Sequence, residues 1–288
     1  MNRRRFLTLT AAALAPLPAH AETVTTWQGR GLGTALSLHL VGADPLRARK
    51  TFVRVEAEIA RIETLASLHR DSALTRLNRD GHLAWPSPDL LGLLALADQV
   101  HTATDGAFDP TVQPLWLALA EGRDTARARA LIGWHRVRRS VKEIRLDPGQ
   151  ALTLNGIAQG WAADRIAALL RARGFTDALV DMGEIAALGE GTEGGWPARI
   201  AGPDGTPLTD TRLTNRTLAT SAPRGTLVNG KPHILGPQGQ PPVWQTVSVS
   251  APRAAVADAL STAFCLMDRA DIDAALAHFP GACVEVLA

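Results

Sequence analysis

The chain has 288 residues, with 30 basic and 28 acidic side chains and a formal net charge of +2. Without residues 1–21, which hold Arg3, Arg4 and Arg5 but no acid, the formal charge would be −1. No stripe of lysine and arginine then remains that would indicate a nucleic-acid-binding surface. A chain of this length can bury a large core, either as one big domain or as two small ones.

Residues 1–21 predict an export signal. They combine a basic start, a short apolar stretch and the small-residue ending Ala19-His20-Ala21, which is typical of cleavable signals and too short for a membrane span. The arginines followed by Phe6-Leu7 resemble a bacterial twin-arginine signal, which exports folded proteins; a plain N-terminal anchor is the alternative. We expect cleavage after Ala21, a periplasmic protein and a single domain over 22–288.

The first predicted elements are a strand and two helices. Residues 31–42 alternate as an exposed-edge or half-buried strand does. Residues 45–66 predict a helix because an apolar stripe recurs at helical spacing, formed by Phe52, Val55, Ile59 and Ile62. A second helix should begin at residues 87–89, where Ser-Pro-Asp supplies an N-cap, a first-turn proline and an acid that suits the helix dipole.

The middle of the chain predicts a hairpin followed by a helix. Strands are expected at 141–146 and 151–155, joined by the Asp-Pro-Gly-Gln turn at 147–150. Residues 156–175 predict a helix that ends at Gly174, a suitable residue for the position after a C-cap.

The remainder predicts strands before a last helix. Paired strands are expected at 177–183 and 184–191, and a strand-rich segment at 196–249 with turns at Pro203-Asp204-Gly205 and Asn229-Gly230. A helix at 254–267 and a short strand at 282–288 complete the chain. Because strands come in blocks rather than in regular β-α-β alternation, the fold class is expected to be α+β.

The two cysteines, Cys265 and Cys283, have no nearby cysteine or histidine at zinc-binding spacing. This argues against a soft-metal site. Two interpretations stay open, a disulfide formed in an oxidising compartment or two buried free thiols.

The last helix carries polar residues that its apolar pattern does not require. Asp258 and Thr262 are four residues apart, so on a helix they present a carboxylate and a hydroxyl on one face. Such oxygens could form half of a Mg²⁺ site, completed by backbone, water and phosphate oxygens. The alternative is that Asp258 and Ser261 act as helix N-caps.

Three other stretches could carry chemistry. The glycine turn at 154–160 leads directly into a helix, which suits a phosphate or, through a carbonyl, a cation. Asp109-Pro110-Thr111 is either part of a site or a simple cap. His233 is the readiest general base in the chain, although a lone histidine is more often structural.

Together these stretches resemble one family, the ApbE-type FAD:protein FMN transferases. The resemblance runs from about Thr26 to the C-terminus, with the elements in the family's order. The matching segments are GLGT, SLHRDSALTRLN, GAFDPTVQPL, LNGIAQGWAAD, LVDMGEIAALG, LATSAPRG, HILGPQGQP and ADALSTA. The last is similar to the family's own motif almost residue for residue, and it favours the metal interpretation of Asp258 and Thr262.

The resemblance implies a T-fold-like α+β architecture with FAD in a groove between two lobes. It also implies that FMN moves from FAD to a serine or threonine hydroxyl of a membrane-bound or periplasmic electron-transfer flavoprotein, with AMP released. Mg²⁺ would be held by Gly156, Asp258 and Thr262, and His233 would be the catalytic base. Residues implied to bind FAD are Leu32, Asn78, Ala107, Phe108, Asp109, Thr153, Gln159 and His233.

Several positions depart from the family's pattern. Gln159 stands in place of the usual lysine, Thr153 in place of an aspartate, Gly236 in place of the aspartate of HIIDP, and His69 in place of a tyrosine; the chain has no tyrosine. Two other functions therefore stay open, a Mg²⁺-dependent FAD pyrophosphatase and a non-catalytic flavin-binding protein.

Overall fold

The computed structural model of the protein describes residues 12–14, 24–191 and 194–288. The expected export signal, residues 1–21, lies outside these ranges except for 12–14, which form a short strand. Of the helices in the described ranges, none combines the length and apolar character that a membrane span requires.

The described residues form eight α-helices and two short 3-10 helices. The α-helices are α1 (Pro45–Ala66), α2 (Ala73–Asp80), α3 (Pro88–Ala103), α4 (Gln113–Ala120), α5 (Thr125–Arg129), α6 (Ala158–Ala172), α7 (Ala254–Phe264) and α8 (Arg269–Leu276). The 3-10 helices are Pro110–Val112 and Trp134–Arg136.

Strands occur from the first described residues to the last. They are β1 (Ala12–Leu14), β2 (Val24–Gly31), β3 (Thr34–Val41), β4 (His82–Ala84), β5 (Arg138–Arg139), β6 (Glu143–Arg145), β7 (Ala178–Asp181), β8 (Ile185–Leu188), β9 (Trp196–Ala201), β10 (Pro207–Leu213), β11 (Thr217–Ser221), β12 (Leu227–Val228), β13 (Lys231–Pro232), β14 (Val247–Ala251) and β15 (Cys283–Leu287).

Seven strands form a central antiparallel sheet in the order β15-β14-β11-β8-β7-β3-β2. Helices α1, α6 and α7 pack on one face of this sheet. The opposite face packs on the sheet β1-β9-β10, because Leu179, Ile185 and Leu218 form a second core with Trp196 and Ile200. This layered arrangement confirms the expected α+β class.

The pattern of buried residues explains these layers. On β3, alternate leucines at 36, 38 and 40 are buried in the main core, whereas the residues between them are partly exposed. Helix α1 matches the predicted range 45–66 and buries Val55, Ile59 and Ile62. Because a strand points alternate side chains to opposite faces, the central sheet supplies residues to both cores.

One predicted strand is wrong. Residues 151–154 are irregular, and α6 begins at Ala158. The reason is a side chain distant in sequence: the amide of Asn78 donates to the carbonyl of Leu152 at 2.8 Å and accepts from its N–H at 2.7 Å. The same segment is held by Thr153 N–H, which donates to the Pro110 carbonyl at 2.8 Å. These bonds replace the neighbouring strand that a ladder would need.

Cys265 is buried and Cys283 is exposed, and both are free thiols. The expectation of two buried thiols is therefore wrong for Cys283, and the disulfide does not form. Burial raises the pKa of the Cys265 thiol, whose sulfur donates to the Ser261 carbonyl.

Candidate functional site

The site is built where α6 and α7 approach each other closely. Gly160 makes this possible, because a Cβ atom at that position would lie 2.2 Å from the carbonyl oxygen of Ala254 and 2.7 Å from the Cβ of Asp258. Real side chains do not tolerate such distances to backbone atoms. Glycine at 160 therefore sets the spacing of the two helices.

Each of these helices caps the other. The carboxylate of Asp164 on α6 accepts from the N–H groups of Ala254 and Ala255 at 2.7 and 3.1 Å, at the start of α7. In the other direction, Asp258 Oδ2 on α7 accepts from the Gly160 N–H at 2.9 Å, at the start of α6. A carboxylate at a helix N-terminus satisfies a free donor and opposes the positive end of the helix dipole. Asp258 is thus held in place by α6.

This geometry corrects the N-cap alternative for Asp258 and Ser261. Both residues lie inside α7, whose own N-cap is Arg253 with no side-chain bond. Asp258 instead caps a different helix, and Ser261 Oγ donates to the Asp258 carbonyl at 3.0 Å.

Oxygen atoms cluster around Asp258 and Thr262. Ser221 Oγ lies 2.8 Å from Ser261 Oγ and 3.4 Å from Thr262 Oγ1. The backbone of Gly156 approaches the same hydroxyl, since a Cβ there would lie 3.0 Å from Thr262 Oγ1. Asp258 and Thr262 of α7 therefore line one cavity together with the Gly156 turn.

These residues fit a hard cation better than a soft one. Within the described ranges, no three His, Cys, Asp or Glu side chains converge on one point. The oxygens near Asp258 come from hydroxyls, from the backbone and from one further carboxylate, Glu184. Mg²⁺ is bound in this way, with few carboxylates and the rest from water and phosphate. Asp258 is 4% exposed and lies in no ion pair among the described residues, so its charge lacks a counter-charge.

A second buried carboxylate lies near Asp258. Burial raises the pKa of Glu184 well above its ordinary value, and the negative charge of Asp258 raises it further. Burial also raises the pKa of Asp258, to about 7, against the lowering effect of the Gly160 N–H. Two carboxylates with raised pKa in one cavity are typical of a functional site.

The cavity beside these residues opens to solvent. Its lining includes the carboxylates of Asp109, Glu184 and Asp258 and the imidazole of His233. No lysine or arginine is among the described residues that line it, so an anionic ligand would need a bound cation to balance its charge.

His233 faces the same cavity in a defined tautomer. Its Nδ1 lies 3.0 Å from the Pro223 carbonyl and 3.2 Å from the Thr226 carbonyl. Carbonyl oxygens only accept, so Nδ1 carries the proton and Nε2 of the neutral ring keeps its lone pair. Burial lowers the pKa of His233, which favours this neutral form.

The segment after α3 has a structural role as well as a place in the cavity. Asp109 Oδ1 accepts from the Thr111 N–H at 2.7 Å and caps the 3-10 helix at Pro110–Val112. Asp109 is therefore a helix cap through this oxygen, as one of the two interpretations expected. The same residue lines the cavity together with Ala107 and Phe108.

Nine of the eleven residues expected at the site line this cavity. They are Ala107, Phe108, Asp109, Thr153, Gly156, Gln159, His233, Asp258 and Thr262. Leu32 is adjacent, since its carbonyl accepts from Gln159 Nε2 at 3.4 Å. Asn78 lies away from the lining, and its amide instead fixes the backbone of Leu152.

Four residues with evident roles are absent from the sequence-based set. Glu184, Ser221 and Trp116 line the cavity, and Asp164 caps α7. Each lies in or next to a segment that carried the family resemblance. Its place in that segment could therefore have indicated a role at the site. Trp116 and Phe108 also supply aromatic surface in a chain without tyrosine.

Two departures from the family's pattern have local compensations. At Gly236 a Cβ would lie 2.2 Å from the Gln240 carbonyl oxygen, so there is no room for a side chain at this position. The His233 ring is held by backbone carbonyls rather than by an acid at that position. Gln159 packs against the Gly183 backbone, since a Cβ there would lie 2.6 Å from Gln159 Nε2.

Comparison with known proteins identifies relatives. The sequence model of the ApbE family matches residues 32–285. The FAD:protein FMN transferase of Klebsiella pneumoniae is 28% identical over 201 residues, covering 63% of this chain and 57% of that protein. The protein of the same name from Haemophilus influenzae is 27% identical over 288 residues, covering 88% and 83%. The match to the Klebsiella relative therefore spans little more than half of its length.

Solved structures share the fold. The flavin transferase ApbE from Vibrio cholerae superposes with a TM-score of 0.77 at 22% identity, covering 91% of this chain and 93% of that one. The ApbE protein from Thermotoga maritima gives 0.79 at 23% identity, with the same coverage. The apo flavinyl transferase ApbE from Pseudomonas stutzeri gives 0.76 at 26% identity, covering 90% and 89%.

Proposed function

This chain belongs to the ApbE family, and we propose from this premise that it transfers FMN from FAD to a serine or threonine hydroxyl of an acceptor protein. The observation that carries the proposal is the buried carboxylate of Asp258, which is held by α6 and lines the same solvent-open cavity as Thr262 and the Gly156 turn. The names of the relatives support the same activity.

In this reaction the bonds that form and break belong to the acceptor and to FAD, not to this protein. The acceptor hydroxyl oxygen forms a bond to the FMN phosphorus, the bond from that phosphorus to the bridging oxygen of FAD breaks, and AMP leaves with the bridging oxygen. Transfers of this kind depend mainly on positioning and on neutralising charge. A Mg²⁺ ion held by Asp258, Thr262 and the Gly156 carbonyl would supply that neutralisation at the pyrophosphate.

We assign the acceptance of the hydroxyl proton to His233. Its Nδ1–H donates to backbone carbonyls, so the unprotonated Nε2 is available for the acceptor hydroxyl. Because burial lowers its pKa, the ring stays neutral at pH 7 and can act as a base. Phe108 and Trp116 would supply apolar surface for the flavin ring, and Thr153 and Gln159 polar contacts to the nucleotide.

The proposal extends to location and partner. An export signal of the twin-arginine kind at residues 1–21 would carry the folded chain to the periplasm, where its acceptor would be a membrane-bound or periplasmic electron-transfer flavoprotein. Replacing Arg4 and Arg5 by lysine should then retain the protein in the cytoplasm, as measured by cell fractionation. Unchanged export would contradict the twin-arginine assignment.

One assay separates the proposed function from its rivals. The purified protein is incubated with FAD, Mg²⁺ and a flavoprotein acceptor domain, and the products are separated by chromatography. Transfer yields an acceptor with covalent flavin fluorescence and AMP in equal amounts. Free FMN with AMP would identify a pyrophosphatase that uses water instead, and unchanged FAD would identify a binding protein.

A further inference from the structure

Glu184 occupies an unusual position for a charged side chain. It lies in the tight turn between β7 and β8, where Gly183 has a φ of +96° and its N–H donates to Asp181 Oδ1 at 3.0 Å. Glu184 is 5% exposed and lines the cavity that also contains Asp258. A glutamate is rarely buried to this extent unless something compensates its charge.

The described protein residues do not supply that compensation. The Glu184 side chain accepts a backbone hydrogen bond from Thr220, while the charges of Asp258 and Asp181 both oppose its ionisation. Neither Glu184 nor Asp258 lies in an ion pair among the described residues, and no lysine or arginine lines their part of the cavity. The chain therefore buries two carboxylates that face one space without a cationic side chain.

Oxygen atoms of other residues also line this space. The Thr262 and Ser221 hydroxyls and the Gly156 turn approach it from three separate elements, α7, β11 and the segment before α6. Such a set is what a divalent hard cation requires. A single carboxylate would leave half of the ion's charge for the nucleotide to balance, whereas two carboxylates balance it within the protein.

We propose that Glu184 is a second carboxylate of the cation site of Asp258, and that the divalent ion consequently binds the protein before the nucleotide does. This inference rests on the proposed function, because it concerns the ion that would neutralise the pyrophosphate. It adds a residue to the site and an order of binding. In that order, the ion converts a negative cavity into one that accepts an anion.

The test measures ion binding without flavin. Chelator-treated, FAD-free protein is titrated with Mn²⁺, and the free ion is quantified by electron paramagnetic resonance. Glu184→Gln keeps the shape of the side chain and an acceptor for the Thr220 N–H, and it removes a buried charge, so the fold should persist; circular dichroism verifies this. We expect Glu184→Gln to weaken Mn²⁺ binding by about tenfold or more, in the range seen when groups around metal sites are replaced.

A matched control separates ligation from long-range charge. Asp181 also lies near Glu184 and is half-buried, yet it does not line the cavity. Asp181→Asn should change Mn²⁺ affinity by less than about threefold. Parental affinity in Glu184→Gln, or an equal loss in Asp181→Asn, would overturn the inference.

The outcome is independent of the activity assay. Mn²⁺ binding that depends on Glu184, in a protein that releases no AMP from FAD, would keep this inference and refute the proposed function. If the protein transfers FMN but its Mn²⁺ affinity does not depend on Glu184, the proposed function is kept and this inference is refuted.

Discussion

Replacing Gly160 by alanine tests the helix contact on which the site is built. The added methyl group would lie 2.2 Å from the carbonyl oxygen of Ala254, 2.6 Å from its carbonyl carbon and 2.7 Å from the Cβ of Asp258. Two of these atoms belong to the backbone, so a change of rotamer cannot relieve the overlap, and α6 and α7 must separate. Overpacking of this kind typically costs about 1–3 kcal/mol, and separation also strains the 2.9 Å bond from Gly160 to Asp258.

The opposing effect is the better helix propensity of alanine, worth about 1 kcal/mol. We therefore expect a net loss of roughly 2 kcal/mol in the free energy of unfolding, combining the strained bond and the overlap. Equilibrium unfolding in urea, followed by tryptophan fluorescence, measures this loss. With a slope of about 3 kcal/mol per molar, the midpoint should fall by roughly 0.7 M.

Gly92 provides the matched control. It lies in α3, and a Cβ there would have no atom within 4 Å. Gly92→Ala should therefore stabilise the protein by about 0.5–1 kcal/mol, through propensity alone. The two glycine-to-alanine changes are expected to have opposite signs. A Gly160→Ala midpoint equal to or above that of the parent would refute the close contact of the helices.

Three further predictions follow from individual residues. His233→Ala should slow FMN transfer at saturating FAD by at least about tenfold, with little change in FAD affinity; a variant that transfers FMN at the parental rate would assign the proton to another group. In the parent, the acid limb of the pH–rate profile should have its midpoint below 6.5, because burial lowers the pKa of His233. In chelator-treated protein, the pKa of Asp258 is about 7, above its unfolded value of 3.8, so the folded state binds the proton more strongly. The free energy of unfolding should therefore fall by on the order of 4 kcal/mol as the pH rises from about 4 to 7. An Asp258→Asn variant whose free energy of unfolding falls equally over this pH range would contradict this. Asn78→Ala should cost roughly 2–4 kcal/mol, because the buried N–H and carbonyl of Leu152 lose their partners, and an unchanged urea midpoint would show that water replaces the amide.

Local patterns were sufficient to predict several elements. Helix α1 follows from apolar spacing and α3 from the cap at Ser87, whose side chain accepts from the Leu90 N–H as expected. Helix α7 was expected from the apolar run around Asp258, and the structure places Thr262 on the same helix, whereas the last helix, α8, was not predicted. These features depend on residues a few positions apart, which sequence analysis reads directly.

Contacts between distant segments account for the differences. The segment 151–154 was predicted as a strand, but its backbone bonds to the side chain of Asn78, more than 70 positions earlier, instead of to a neighbouring strand. The mutual capping of α6 and α7 joins Asp164 to Ala254 and Asp258 to Gly160, pairs that no local pattern connects. The same limit applies to Glu184, whose burial depends on the packing of several elements.

The Mg²⁺ dependence of FAD binding in Asp258→Ala tests the central claim most directly. The protein and its variant are titrated with FAD by calorimetry, with Mg²⁺ and with chelator, and Asp268→Asn, which alters the exposed cap of α8, serves as the control. We expect Mg²⁺ to tighten FAD binding by at least about tenfold in the parent and the control, and to have no such effect in Asp258→Ala. An Asp258→Ala variant with the same Mg²⁺-dependent FAD affinity as the parent would contradict the assignment of Asp258 to the cation site.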